Sequence, residues 1–287
     1  MILSIIIKAY NEEENIDKCI CSALNEAKGI SSEILLIDSL STDDTIKIAE
    51  KYPINIIQLT NEKDRNCSVG GQIGYLNAKG KYLFIIDGDM VIKKGFVKTA
   101  LKYFKDKTIA GVSGIIKHTP SDLPYYRALN QAKNKKLFSI PGGGIYRKKQ
   151  IDELTYLFNP NLYSWEDYEL GFRLVKKGYK LIVLDRVMAV HYGENCNLLG
   201  YFYKKIISGY TKGPGQILNY DKTNIMPHIW YFRYYVSAIF LFFIMVCIIT
   251  FFGLKGFYLP LFFMLLILIK RKNISDSIYS FFSILVF

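Results

Sequence analysis

Short apolar runs alternate with amphipathic runs along the first two thirds of the chain. The apolar runs have strand length, and the runs between them carry apolar residues at helical spacing or follow N-capping residues. The pattern predicts strands at 2–7, 34–37, 54–59, 82–86, 109–116 and 179–184, and helices at 16–27, 45–52, 68–77 and 95–104. Strands and helices that alternate in this way are typical of an α/β protein with a parallel sheet.

Two carboxylates end the predicted strand at 82–86. Asp87 and Asp89 flank Gly88, which lets the backbone turn sharply. Carboxylates this close repel each other unless a cation lies between them. Mg²⁺ and Mn²⁺ favour such oxygen ligands, and substrate phosphates usually complete their coordination. The motif therefore indicates either a metal and phosphate site or an Asp-Gly turn without a ligand.

Polar and aromatic residues also follow the first two strands. The first strand leads to Ala9, Tyr10 and Glu12, and the second leads to Asp38. Because ligands bind beyond the carboxyl ends of strands in an open α/β sheet, we expect these residues to cluster at one edge. Tyr10 could stack on a base, and Asp38 could accept hydrogen bonds from a base or a ribose. The alternatives are a rim aromatic and a turn acid.

A glycine-rich segment lies in the middle of the chain. Three consecutive glycines at 142–144 allow the backbone to approach a ligand closely, and Arg147 and Lys148 could balance phosphate charge. The alternative is a flexible turn with a solvated basic end. The segment matches neither a phosphate-binding loop nor the dinucleotide fingerprint, which disfavours an ATPase or a dehydrogenase.

A further helix is predicted to begin after Ser164, its expected N-cap. Glu166 and Asp167 lie in the first turn, where acids stabilise the helix dipole. Trp165 beside them suggests a partly apolar pocket, which would raise the pKa of a carboxylate toward the working range of a base. His191 follows a later apolar run and is either a structural histidine or a metal ligand.

The C-terminal third is the most apolar part of a chain of 287 residues with a formal net charge of +12. Residues 198–210 have the pattern of an interfacial helix. Residues 234–254 carry no charge and can cross a hydrocarbon core of roughly 30 Å, and 257–269 form a shorter apolar run. The basic residues at 270–272 predict a multi-pass cell-membrane protein whose N-terminal α/β domain lies in the cytoplasm. A buried helical hairpin is the alternative.

These patterns divide the chain into an α/β domain (1–195), an interfacial segment (196–232) and a membrane segment (233–287). Nucleic acid is not an expected partner, because the chain has no zinc knuckle or arginine-rich arm. The five cysteines lack metal-site spacing and are expected to be reduced thiols.

The first 192 residues resemble the family-2 glycosyltransferases, which have the GT-A fold. The resemblance rests on five motifs in the family's order and spacing: Ala9-Tyr10-Asn11-Glu12-Glu13, residues 38–43, Asp87-Gly88-Asp89, residues 142–147 and residues 165–170. It implies an α/β fold with a mixed, nucleotide-sugar-binding sheet flanked by helices, followed here by interfacial and transmembrane helices.

The resemblance also implies roles for individual residues. Those that would bind the nucleotide sugar are Ala9, Tyr10, Glu12, Asp38, Arg65, Asp87, Gly143, Gly144 and Glu166. Asp87, Asp89 and His191 would hold a divalent metal ion, Mn²⁺ or Mg²⁺. Asp167 would be the catalytic base that removes a proton from the acceptor hydroxyl.

The implied reaction is an inverting transfer of one sugar from a nucleoside-diphosphate sugar to a hydroxyl of a membrane- or lipid-linked or glycan acceptor. The product would be a cell-surface polysaccharide or glycolipid, with membrane lipid as a further partner. The Gln-x-x-Arg-Trp motif of processive synthases is absent, which implies a single transfer. Two alternatives remain: transfer to a polyprenyl phosphate, and a catalytically inactive, membrane-anchored binding protein.

Overall fold

The computed structural model of the chain describes residues 1–119, 139–140, 142–193 and 212–232. The chain divides into two compact units, Met1–Asn195 and Cys196–Phe287. The predicted segments at 198–210, 234–254 and 257–269 lie outside the described residues.

The first unit contains eight described strands. They are β1 (Leu3–Ala9), β2 (Ser32–Asp38), β3 (Asn55–Gln58), β4 (Tyr82–Asp87), β5 (Met90–Ile92), β6 (Ile109–Thr119), β7 (Gly144–Arg147) and β8 (Lys180–Tyr192). Its helices are α1 (Ile16–Ala27), α2 (Thr45–Ala49), α3 (Cys67–Asn77), α4 (Phe96–Tyr103), α5 (Lys148–Asp152) and α6 (Glu166–Lys176). In the second unit, α7 (Gly213–Tyr220) and α8 (Ile225–Tyr231) are described.

The described strands form one sheet in the order β3-β2-β1-β4-β7-β6-β8-β5. The strands from β3 to β4 are parallel, whereas β7 runs antiparallel to β4 and β6, and β5 runs antiparallel to β8. The sheet is therefore mixed, as the family resemblance implies, and not parallel as the alternation of elements predicts. The antiparallel strands β5 and β7 are only three and four residues long, too short for the apolar pattern to indicate their presence or direction.

Apolar side chains pack on both faces of the parallel half. On β1, Ile5 and Ile7 belong to one buried cluster, whereas Ile6 belongs to a second cluster on the other face. This division follows from the alternation of side chains along a strand. A strand buried on both faces carries apolar residues on both, which is why the apolar runs at 5–7 and 82–86 located β1 and β4 so directly.

A buried glutamate of α1 holds the start of α4. Glu26 accepts hydrogen bonds from the backbone N–H groups of Gly95 (2.6 Å) and Val97 (2.9 Å). Gly95 has a left-handed backbone with φ of 80°, which glycine adopts without strain. The carboxylate thus satisfies two backbone donors that the first turn of a helix leaves without intrahelical partners.

The predicted multi-pass membrane localisation is wrong on the helices that can be tested. Among the described residues, no helix combines the length and the apolar character that a membrane crossing requires. The described helices of the second unit have 8 and 7 residues, whereas a transmembrane helix needs about 20.

Replacement of Glu26 by alanine should lower the free energy of unfolding by about 3 kcal/mol, because two buried backbone donors lose their acceptor. Urea unfolding followed by circular dichroism measures the change. Glu14 is an exposed glutamate just before the same helix, and Glu14→Ala should change stability by less than about 0.5 kcal/mol. Equal effects of the two substitutions would show that the Glu26 contacts contribute nothing.

Candidate active site

The carboxyl ends of β1, β2 and β4 lie side by side. Ala9 pairs in register with Asp38, and Lys8 pairs in register with Asp87. The turn after β4 is tight: the N–H of Gly88 donates to the carbonyl of Lys8 (2.8 Å). The structure thus brings the ends of the first, second and fourth strands together at one edge, where ligands of open α/β sheets bind.

Asp38 organises the loop that follows β2. Its fully buried carboxylate accepts hydrogen bonds from the backbone N–H of Ser41 (3.0 Å), the Ser41 hydroxyl and the side-chain amide of Gln58 (3.2 Å). Leu40 in this loop has φ of 64°, a strained conformation for a residue with a side chain. These contacts match the turn role of Asp38, which the sequence allowed as the alternative to nucleotide binding.

Tyr10 and Arg65 form a flat surface at this edge. The guanidinium of Arg65 lies over the Tyr10 ring at 4.5 Å from its centroid, and its Nη1 donates to the Tyr10 hydroxyl (2.9 Å). The Tyr10 side chain is exposed, while Nε of Arg65 is buried and has no hydrogen-bond partner in the described part of the chain. An exposed aromatic ring backed by a cation can stack on a planar ligand.

Asp89 and His191 are paired across two strands. Because Met90 of β5 pairs in register with His191 of β8, Nε2 of His191 lies 3.0 Å from Oδ2 of Asp89. Burial lowers the pKa of His191, but the hydrogen bond and charge of Asp89 outweigh burial and raise this pKa above its ordinary value. The other carboxylate oxygen, Oδ1 of Asp89, is buried without a hydrogen-bond partner among the described residues.

His118 is a further member of this group that the sequence interpretation missed. Its Nδ1 lies 3.3 Å from Nδ1 of His191, because β6 and β8 are parallel and place the two residues in register. Burial and the neighbouring His191 lower the pKa of His118 to about 4. A lone histidine near the end of a predicted strand gave no indication of this pairing.

The predicted metal ligands are not assembled as a set. Within the described ranges, no group of three or more His, Cys, Asp or Glu side chains is placed to hold a metal ion. Oδ1 of Asp87 is 2.9 Å from the Lys8 ammonium, and His191 occupies one oxygen of Asp89. The free Oδ1 of Asp89 nevertheless fits a divalent cation, because a buried carboxylate oxygen without a partner is an unused ligand.

Glu12 shows how acidic this pocket is. Burial and the charges of Asp89 and Asp87 raise the pKa of Glu12 to about 8. Neighbouring carboxylates disfavour each other's ionisation, and a nearby cation removes this penalty. The site is therefore suited to a cation at the Asp89 end.

Asp167 lies on the other side of the candidate site, in the first turn of α6. Burial and the charge of Glu166 raise the pKa of Asp167 to about 7. Its carboxylate accepts hydrogen bonds from the backbone N–H groups of Tyr168 (2.7 Å) and Gly142 (3.3 Å). The structure thus brings the glycine segment to the predicted base. A raised pKa was expected here, and burial with the Glu166 charge is its cause.

The start of α6 differs from the prediction. Trp165, not Ser164, precedes the helix, with φ of 65° and no side-chain cap. Gly143 lies at the end of β4: a Cβ atom on Gly143 would be 2.4 Å from the carbonyl oxygen of Ile85, so only glycine fits. Gly144 then begins β7.

Arg147 and Lys148 do not face the site. Arg147 pairs with Tyr82 at the amino end of β4, and its Nη2 donates to the carbonyls of Phe104 (2.6 Å) and Asp106 (3.0 Å). Lys148 is ion-paired with Asp152 (2.8 Å). The proposal that they balance phosphate charge is wrong, because the antiparallel direction of β7 carries its end away from the acidic edge.

Lys8 is a second residue that the sequence interpretation missed. Its Nζ lies 2.9 Å from Oδ1 of Asp87 and 3.6 Å from Oε1 of Glu166. Burial lowers the pKa of Lys8, but the charges of Asp87, Cys67 and Glu166 outweigh burial and raise it well above its ordinary value. A lysine directly after the predicted strand at 2–7 was the available signal.

Comparisons with solved structures define the fold. The mannosyltransferase PcManGT of Pyrobaculum calidifontis, solved with GDP-Man and Mn²⁺, matches with a TM-score of 0.65 at 16% identity over 99% of this chain and 87% of that one. TarS residues 1–349 of S. aureus, solved with UDP-GlcNAc, match with a TM-score of 0.55 at 19% identity, covering 76% of this chain and 67% of that one. The chain has the mixed α/β fold of GT-A glycosyltransferases.

The sequence comparisons define the family. The sequence model of the family Glycosyl transferase family 2 matches residues 4–165, more than half of the chain. The chain therefore belongs to this family. A dolichyl N-acetyl-alpha-D-glucosaminyl phosphate glucuronosyltransferase of Methanococcus voltae is 26% identical over 81% of this chain and 78% of its own length. The cholesterol galactosyltransferase of Borreliella burgdorferi is 29% identical, and the alignment spans 54% of this chain and 41% of that enzyme. The chain is thus a glycosyltransferase enzyme, which confirms the family prediction.

Asp167→Asn should stabilise the protein at high pH only. The pKa of Asp167 is raised from 3.8 to about 7 in the fold, so stability is lost as pH rises between these values. The neutral amide removes this loss, and the free energy of unfolding of the variant should exceed that of wild type by about 2 kcal/mol at pH 8 and by almost nothing at pH 4.

Urea unfolding of both proteins across this pH range measures the difference. Asp44→Asn is the matched control, because the Asp44 side chain is 62% exposed and should show no such pH dependence. A constant difference between Asp167→Asn and wild type would contradict the raised pKa.

Proposed function

We propose that this enzyme transfers one sugar from a nucleoside-diphosphate sugar to a hydroxyl group of a lipid-linked acceptor, with inversion at the anomeric carbon. The observation that carries the proposal is the half-buried Asp167, which the backbone N–H groups of Gly142 and Tyr168 hold in place and whose raised pKa of about 7 suits a general base at neutral pH. The family membership and the acidic edge opposite Asp167 support the same reaction.

The donor would bind at the ends of β1, β2 and β4. Tyr10, backed by Arg65, offers a surface on which a nucleobase stacks, and the backbone next to Ala9 and Asp38 borders it. Glu12 and Glu166 lie nearer the sugar and diphosphate in this arrangement. The nucleotide sugars bound by the two structural neighbours are consistent with such a donor.

A divalent ion, Mn²⁺ or Mg²⁺, would be held by Asp89 with Asp87 and His191. Such an ion neutralises the negative charge that develops on a departing diphosphate. The buried, unpartnered Oδ1 of Asp89 and the acidity around Glu12 support this assignment, as does the Mn²⁺ in the PcManGT structure.

Asp167 would act on the acceptor. As the acceptor hydroxyl oxygen attacks the anomeric carbon, its proton passes to the Asp167 carboxylate, the bond from that carbon to the diphosphate breaks, and the nucleoside diphosphate leaves. A single displacement inverts the configuration. The N–H groups of Gly142 and Tyr168 hold the carboxylate in place for this transfer. The missing side chains let Gly143 pack closely against β4 and Gly144 against β6.

Transfer to a polyprenyl phosphate is the second candidate. The dolichol-phosphate mannosyltransferase of Pyrococcus furiosus is 33% identical to this chain, over 31% of this chain and 26% of that enzyme. A phosphate oxygen is already a nucleophile and needs no base. The raised pKa of Asp167 therefore favours a hydroxyl acceptor, and the name of the Methanococcus enzyme, which includes a dolichyl-linked sugar, favours a lipid-linked one.

Wild-type enzyme should release nucleoside diphosphate from one or more members of a donor panel when Mn²⁺ and a lipid extract are supplied. The rate should fall strongly on chelation with EDTA. Product analysis by mass spectrometry identifies the acceptor, and NMR of the new linkage reports its configuration. Release from no donor would contradict the proposal, and retained configuration would contradict its mechanism.

Asp167→Asn should lower kcat about 10²- to 10⁴-fold with a hydroxyl acceptor, because the proton loses its recipient. In wild type, kcat/KM should rise as pH increases through about 7, where Asp167 ionises. Asp44→Asn, at an exposed carboxylate, should retain wild-type rates. An Asp167→Asn enzyme of undiminished kcat would favour the polyprenyl-phosphate acceptor.

A further inference from the structure

Lys8 lies between the two halves of the candidate site. It is the penultimate residue of β1, and its ammonium contacts Asp87 at the end of β4 and Glu166 at the start of α6. The side chain is 12% exposed and its Nζ is 5.8 Å from the centroid of the Phe158 ring. One buried cation therefore joins the carboxylate on the donor side to the acidic helix turn that carries Asp167.

The charged neighbours of the Lys8 ammonium are acids. Asp87 and Glu166 contact it, and the charge of Lys8 also favours the ionised form of Asp167. Breaking a buried ion pair by removing one partner leaves an uncompensated charge. The positive charge of Lys8 thus offsets the electrostatic repulsion among these acids.

The two acids of the Asp87-Gly88-Asp89 motif differ in their partners. Oδ1 of Asp87 is occupied by Lys8, whereas Oδ1 of Asp89 has no hydrogen-bond partner in the described residues. A cation that uses both acids must therefore draw Asp87 away from Lys8 or share it.

We propose that Lys8 is a positioning residue that ties Asp87 to Glu166 and competes with a divalent cation for Asp87 in the donor-free enzyme. The inference rests on the proposed function for its place in catalysis, but not for its effect on cation binding. Lys8 then has two effects. It keeps the donor-side acid aligned with the helix turn that bears the base, and it keeps the donor-free site from taking up a metal ion tightly.

The test is Mn²⁺ binding to the full-length, donor-free protein, measured by electron paramagnetic resonance of free Mn²⁺. Lys8→Met keeps the apolar stem and removes the charge, and should bind Mn²⁺ about tenfold more tightly than wild type, because an opposite charge leaves Asp87. Its kcat with donor and acceptor should fall about tenfold or more, because Asp87 and Glu166 lose their common partner. Lys8→Arg should restore weak Mn²⁺ binding.

Lys148→Met is the matched control. Lys148 also pairs with a carboxylate, Asp152 (2.8 Å), and lies over an aromatic ring, Tyr75 (4.8 Å), away from the acidic edge. It should change neither Mn²⁺ affinity nor kcat. Thermal unfolding verifies that each variant is folded.

A Lys8→Met protein whose Mn²⁺ affinity is unchanged, lowered or too weak to measure would overturn the proposal. So would a folded variant with wild-type kcat. Failure of the proposed function gives a different result, since wild type would then release no nucleoside diphosphate while the Mn²⁺ affinities of the two proteins could still be compared.

Discussion

Mutual repulsion among half-buried acids is the constraint on which this site depends. Glu12, Asp87 and Asp89 converge where the parallel strands end, and burial with like charge raises the pKa of Glu12 to about 8. Two cationic or proton-bearing groups offset that repulsion: Lys8 at Asp87 and His191 at Asp89. The same balance explains why further negative charge at this edge requires added positive charge.

Backbone strain is concentrated around this edge. The non-glycine residues with positive φ in the described part of the chain are Asn11, Leu40 and Trp165, which follow β1, follow β2 and precede α6. Such residues cost about 1–3 kcal/mol each and persist where the surroundings fix them. Asn11 is held by its side chain, which accepts from the N–H of Thr42 (2.8 Å). The strain thus lies in the loops that shape the site.

The two kinds of strand pairing contribute different parts of the site. Parallel pairing of β1, β2 and β4 aligns the acids and Lys8 at one edge. Antiparallel pairing of β7 with β4 places Gly142 next to Asp167, and that of β5 with β8 places His191 next to Asp89. The mixed sheet therefore joins the side of the candidate site that carries Asp87 and Asp89 to the side that carries Asp167.

The sequence by itself determined the central strands, most of the helices and the location of the acids at the strand ends, because strands buried on both faces contain runs of consecutive apolar residues. It also determined the family, through motifs in the right order. Only the tertiary structure decided the partners: Lys8 with Asp87, His118 with His191, and Arg147 with carbonyls far from the edge. Pairings across strands depend on direction and register, and short strands such as β5 and β7 leave no periodic pattern from which either can be read.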